Sequence, residues 1–354
     1  MSKSKKKFAL LVALFLAGSA QSFAQTVPPA TPEQVNKLVA VLKSDAPQKE
    51  KADACRQLAV VGTKVAVAPL AALLGDENLS HMARYALEPM PDPAVDEALR
   101  DALGKLKGLP LVGVIGSIGV RRDARAVGPL TRMLQDPDAE VAQAAARALG
   151  SIGTRRAARA LQRALPTAPA ANQLALCEGL FRCAEALVAE GKRGGTWEIY
   201  EQLRSIKAPH QVRAGALRGA MRVQQRLLGA PGREGFPLLW QHLRSDDYIL
   251  FSAAVQTSLE MPGAEVTGAL TSALKGLPAD NQILIIWALG KRADPGALSA
   301  LFAAAKEGEK SVRLAAIRAL SQMGDASAAP VLRALAADAD PEISKAAQES
   351  LAAF

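Results

Sequence analysis

The chain has 354 residues, 49% of them hydrophobic but only 4% aromatic, and carries a formal charge of +9. So much apolar material excludes a disordered chain, and few aromatics in an Ala-rich sequence point to closely packed helices rather than a β-sandwich. Three Cys and three His, with no HExxH, CxxC, CxxCH or GxxxxGKS/T segment, exclude a disulfide scaffold, the common zinc and haem sites and a P-loop, so no metal or cofactor is expected.

Residues 1–24 read as a secretory leader. Lys3, Lys5, Lys6 and Lys7 precede an apolar run at 8–17, and Ser22-Phe23-Ala24 places small residues for cleavage after Ala24. The run is too short to span about 30 Å of hydrocarbon, so no transmembrane anchor is expected after cleavage and the mature chain is expected in the periplasm or outside the cell. Residues 25–33 (QTVPPATPE) read as a Pro-rich linker, and 34–354 as the folded body. Without the leader's four lysines the charge falls to +5, and it is uneven. Residues 121–244 hold 20 basic and 10 acidic side chains, whereas the flanking thirds are slightly acidic.

The body repeats itself. Residues 139–153 read AEVAQAAARALGSIG and 311–324 read SVRLAAIRALSQMG; each is followed by a second Ala/Leu-rich stretch, 155–165 and 325–335. Related copies start near Asp53, Leu111 and Ile283. Anchored on a closing Gly or its equivalent, copies fall near 62, 91, 119, 153, 191, 232, 263, 293 and 324, with the spacing stretched in the middle. In 139–149, Val141, Ala144, Ala145, Ala148 and Leu149 share one helical face. Asp138, Asp340 before Pro341 and Asp92 before Pro93 are predicted caps. Gly62, Gly119, Gly153 and Gly324 are predicted to stop the first helix of their units in a left-handed conformation. A pair of short helices cannot bury its apolar face alone, so stacked pairs are expected: an all-α fold, specifically an α-solenoid of about nine units. Residues 341–354 read as the first helix of a further unit, able to act as a cap.

The pattern resembles HEAT repeats, in particular the short bacterial kind first noted in phycobilisome lyases. Val312-Arg313, Ala315, Ala316, Ala319, Leu320 and Gly324 match it best, and the copy from Val141 matches except that Ala142 stands at the Arg position. The resemblance covers about 50–354, weakly between 170 and 265. It implies a binding scaffold, since most members are scaffolds. A few are enzymes: bilin lyases, deoxyhypusine hydroxylase with His-Glu iron ligands, and HEAT-like DNA glycosylases. No His-Glu dipeptide exists here, which departs from the hydroxylases.

Cys55, Cys177 and Cys183 read as small core residues, with thiol attachment of a ligand as the alternative. His81, His210 and His242 lie in different units and read as exposed or capping residues. Asp246-Asp247 and Asp136/Asp138 read as caps, not as a catalytic pair. The anomaly is the middle third, where the repeats lengthen around two Gly-rich insertions at 191–195 and 229–235. There the aromatics gather: Phe181, Trp197, Tyr200, Phe236, Trp240, Tyr248 and Phe251. Arg121, Arg122 and Arg125 occupy a turn position taken again by Arg155, Arg156 and Arg159, followed by Arg163. Stacking would align them into a stripe. Two readings stand. Either these arginines, with Trp197, Tyr200 and Trp240, recognise an anionic partner, or they are a solvated face over aromatics that fill irregular repeats. The expected function is an exported, non-enzymatic scaffold for a protein partner. The alternative is an electrostatic binder of acidic polysaccharide, lipid head groups or nucleic acid, although the leader disfavours intracellular nucleic acid. A lyase-type or glycosylase-type enzyme is the third reading.

Overall fold

The computed structural model describes residues 31–192, 194–228 and 236–352. The leader at 1–24, most of the linker and the insertion at 229–235 lie outside the described residues. The linker's last positions are helical rather than irregular. Thr31 and Gln34 cap each other reciprocally: the Thr31 hydroxyl accepts from the Gln34 N–H at 3.3 Å, and the Gln34 side chain accepts from the Thr31 N–H at 3.0 Å. Pro32, whose ring pre-sets a helical φ, opens the helix.

The chain falls into two compact units, Met1–Ala98 and Leu99–Phe354. The described part of the first holds α1 (Pro32–Lys43), α2 (Gln48–Val61), α3 (Lys64–Ala71) and α4 (Ser80–Leu87); the boundary falls inside α5 (Pro93–Ala102). Here α2 packs on α4 and α1 on α3, around a core that includes Val35, Leu58, Leu70 and Leu87.

The second unit continues with α6 (Gly108–Arg121), α7 (Val127–Met133), α8 (Ala139–Ile152), α9 (Arg155–Ala164), α10 (Ala170–Ala189), α11 (Gly194–Ser205) and α12 (His210–Leu228). It then runs through α13 (Pro237–His242), α14 (Tyr248–Ser258), α15 (Ala264–Ala273), α16 (Ala279–Arg292), α17 (Leu298–Lys306), α18 (Lys310–Met323), α19 (Ala329–Leu335) and α20 (Pro341–Ala352). Even-numbered helices stack in one layer: α6 on α8, α8 on α10, α12 on α14, and so on to α18 on α20. Odd-numbered helices form the other layer, where α7 packs on α9 and α9 on α11. The described residues contain helices and no strand, and the fold is an α-solenoid. Consecutive helices α2 to α19 make nine pairs, as the repeat spacing predicts. The central repeats lengthen chiefly within the even layer: α10 has 20 residues and α12 has 19, against 14 in α6, α8, α16 and α18.

The four glycines expected to stop their helices in a left-handed conformation do different jobs. Gly153 and Gly324 do end α8 and α18 at φ 69° and 64°. Gly119 does not end α6. It lies inside the helix, and the left-handed residue is Arg122, three positions on, at φ 55°. Gly62 caps α2 in an extended conformation. Gly119 and Gly150, both inside helices, are packing residues. A Cβ on Gly119 would sit 2.9 Å from the Ala148 Cα, and one on Gly150 would sit 2.6 Å from the Gly179 Cα. In α8, Ala142 and Ala146 are buried as well as the predicted stripe, because α6 and α10 cover the helix from both sides.

Adding one methyl group at Gly150 must therefore push backbone against backbone. Gly150→Ala is expected to destabilise the chain by about 1–3 kcal/mol in urea titration. Gly116 also lies within α6, but a Cβ there meets nothing within 4 Å. Gly116→Ala is expected to stabilise by about 0.5–1 kcal/mol through helix propensity. Equal effects of the same sign would contradict the close-approach reading.

Candidate functional site

Arginines in the second unit divide into two groups. One group bolts repeats together. Arg213 at the start of α12 donates to Asp247 Oδ2 at 2.9 Å, and Arg313, the Arg of the Val312-Arg313 signature, pairs with Asp338 in the turn before α20. Each aspartate also caps or braces the next turn: Asp247 accepts the Ile249 and Leu250 N–H groups, and Asp338 accepts that of Asp340. Burial pushes the Asp247 carboxyl up, but those N–H groups and the Arg213 guanidinium together hold it below the usual carboxylate range. Arg100 pairs with Asp123, and Arg292 donates to the Met261 and Gly263 carbonyls at 2.7 and 2.9 Å.

The other group is uncommitted. Arg122, Arg125, Arg155, Arg156, Arg159 and Arg163 are exposed. Among the described residues none of the six has a carboxylate or another ion-pair partner within 4 Å. Arg121 is half-buried at the end of α6. The reason is local: α9 reads RRAARALQRA, with Ala157, Ala158 and Leu161 turned into the core and no acid among its ten residues. Arg156 reaches back towards α7, where a Cβ on Gly128 would lie 3.6 Å from its Nη2. Arg155 and Arg159 face the other way and line a cleft of about 230 Å³ against Gly194, Gly195 and Glu198 of α11. Structure thus brings Arg155 and Arg159 together across from α11, with Arg156 on the opposite flank.

The aromatics behave differently. Tyr200 is buried at 6% exposure, its ring 6.3 Å from that of Phe181 and laid over Gly219, where a Cβ would come 2.3 Å from the Tyr200 ring. Burial, with Glu185 nearby, pushes the Tyr200 hydroxyl up. It borders a cavity of about 450 Å³ with Arg222 and Glu260, which are ion-paired. Phe236 and Phe251 are core residues; Trp197, Trp240 and Phe181 are half-buried. Tyr248 alone of the seven is exposed. It shares an open groove of about 630 Å³ with Trp287, which is 41% exposed, and with Pro278 and Leu284. Trp287 went unremarked in the sequence, yet a signal was there. Aligned on Gly150 and Gly290, Trp287 takes the solvent-facing position held by Arg147 in α8, and Arg318 holds the same place in α18.

All three cysteines are buried and free, with thiols pushed up by burial to about 11, 11 and 12 for Cys55, Cys177 and Cys183. His81 and His210 are exposed, as expected. His242 departs from expectation: it is buried at 7% exposure at the end of α13. Arg204 Nη2 donates to its Nε2 at 3.2 Å, and Nδ1 has no partner among the described residues.

Comparison with known proteins fits the two-layer architecture. A family model for HEAT repeats matches residues 112–180 and 267–352. Those two stretches are HEAT repeats. The unmatched stretch between them is where the even layer lengthens. Among solved structures, a mutant of the karyopherin Kap121p is similar with a TM-score of 0.55 at 12% identity, covering 92% of this chain and 41% of its own. Kap95p, in a structure describing its binding to RanGDP, gives a TM-score of 0.55 at 14% identity, covering 92% and 50%. Human deoxyhypusine hydroxylase gives a TM-score of 0.32 at 18% identity, covering 91% and 96%. The chain thus spans half or less of either karyopherin, and those two likenesses establish the fold alone. No curated protein matches its sequence.

Burial first, then the Arg204 charge, lowers the His242 imidazole to about 4. A folded-state value below that of the unfolded chain means that acid protonates the unfolded state first. The contribution is intact above about pH 6.5 and is lost as pH falls through 4, on the order of 3 kcal/mol in all. His242→Gln is expected to flatten the stability–pH curve between pH 6.5 and 4 in denaturant titrations. An unchanged slope would remove His242 as its source.

Proposed function

We propose that this chain is an exported, non-enzymatic HEAT-repeat scaffold that holds a protein partner against the basic face of its odd-numbered layer. The observation that carries the reading is the uncommitted set Arg122, Arg125, Arg155, Arg156, Arg159 and Arg163. Arg213 and Arg313 tie repeats together through aspartates, whereas these six make no ion pair among the described residues. Six unpaired guanidiniums repel one another and cost some stability. A partner carrying carboxylates or phosphates offsets that cost by bidentate pairing. Trp197 and Trp240, half-buried on α11 and α13, are the candidate anchors; Tyr200 stays with the core. The basic n-region, apolar run and small residues before Gln25 support export, and no helix among the described residues is long and apolar enough to cross a membrane. The raised thiols weigh against a cysteine-based lyase.

The net charge of +10 over 121–244 also supports a second reading, electrostatic capture of an anionic polymer. Salt separates the two, because polymer binding through phosphates or carboxylates weakens steeply with ionic strength. The test uses residues 25–354 as bait against a native envelope extract at low and moderate salt. The scaffold reading expects one protein retained at both and lost from the Arg155→Gln/Arg156→Gln/Arg159→Gln/Arg163→Gln variant. Retention of polymer at low salt alone would favour the second reading. Undiminished capture by the quadruple variant would overturn both. N-terminal sequencing of the exported chain is expected to begin at Gln25.

A further inference from the structure

We propose that the cleft between α9 and α11 binds a phosphate group through Arg155 and Arg159. The two arginines stand one helical turn apart on α9 and line the same cleft of about 230 Å³. Like charges at that spacing repel. Elsewhere on this chain the conflict is settled by an acid: Arg147 and Arg182 both pair with Glu178. In the cleft it is not settled. Glu198 lies in the lining, yet it makes no ion pair with either guanidinium, so the site holds two unneutralised forks and a carboxylate paired with neither.

The opposite wall is kept open. Gly194 and Gly195 present no side chain, and a Cβ on Gly195 would come 3.8 Å from the Arg155 Nε, so a longer side chain there would fill the space in front of the guanidinium. Oxyanion chemistry follows from the donors. One fork satisfies the two oxygens of a carboxylate, whereas a tetrahedral phosphate offers oxygens to two forks at once. The cleft holds the volume of several waters, at about 30 Å³ each, which leaves room for a phosphate and the first carbons of an ester. The site needs only α9, α10 and α11, so it stands or falls independently of capture of a protein partner.

The test is calorimetric titration of the full mature chain at constant ionic strength, with inorganic phosphate in one arm and glycerol 3-phosphate in the other. Saturable binding is expected in at least one arm. A tighter glycerol 3-phosphate assigns the site to phosphoesters, and equal or tighter inorganic phosphate assigns it to the free ion. Arg155→Gln/Arg159→Gln is expected to weaken binding by about tenfold or more, with an unchanged circular dichroism spectrum. Gly195→Leu is expected to block the cleft with all charges in place, and Glu198→Gln to tighten binding. Arg318→Gln, an exposed arginine on α18, is expected to change nothing. No saturable heat from the unaltered chain, or binding that survives both the double variant and Gly195→Leu, would overturn the proposal.

Discussion

Neighbouring even-layer helices in this chain touch backbone to backbone. Gly119 faces Ala148, Gly150 faces Gly179, and Gly290 faces Ala319, each so closely that a Cβ on the glycine would lie 2.6–3.1 Å from a main-chain atom of the next helix. Glycine and alanine permit this approach, and Leu, Ile and Val fill the space towards the odd layer. A helix of 14 residues is marginal by itself in water. It becomes stable here because its layer neighbours and an adjoining odd-layer helix cover it, as α16, α20 and α17 cover α18. The separation between repeats follows from those small residues, and the separation decides which side chains on the odd layer come opposite one another.

Electrostatics are arranged around that spacing. Arg213 and Arg313 reach one repeat forward, Arg213 to the aspartate that caps the next helix and Arg313 to one that braces the turn before it. Their charges are consumed by the array. The α9 arginines have no such acceptor, since α9 carries no acid and the facing turn of α11 is glycine. Charge used for architecture and charge left for a ligand are thus distinguished by partners rather than by composition. The same distinction separates the aromatics. Tyr200 and Phe251 fill the irregular repeats, while Tyr248 and Trp287 face outward.

Much of this was legible in the sequence. The Ala-Leu-Gly periodicity gave the helix pairs and their number, and Asp92, Asp138, Asp247 and Asp340 cap helices as expected, whereas Asp136 braces a turn instead. Three features were not legible, each for a physical reason. Gly119 and Gly153 look equivalent in a repeat alignment, but one serves close packing and the other a left-handed cap; only the helix register tells them apart. Tyr200 reads in the sequence either as an interface anchor or as filling for an irregular repeat, and what decides for the core is Gly219, 19 positions away, which clears room for its ring. His242 has no sequence signal of burial, because Arg204, which donates to it, lies 38 positions away. Trp287, by contrast, was recoverable by comparing it with Arg147 and Arg318 at the same repeat position.

The dependence of each repeat on its immediate neighbours is tested most directly by hydrogen–deuterium exchange of Gly179→Val beside the unaltered chain. A side chain at 179 would press on the Ala146 carbonyl, 2.6 Å from a Cβ placed there. Protection is expected to fall in α8, α10 and the adjoining α9 and α11, while α16 to α20 keep theirs, as nearest-neighbour coupling in a solenoid requires. An even loss across the second unit, or no loss around α10, would contradict a fold held together by close approach within the even layer.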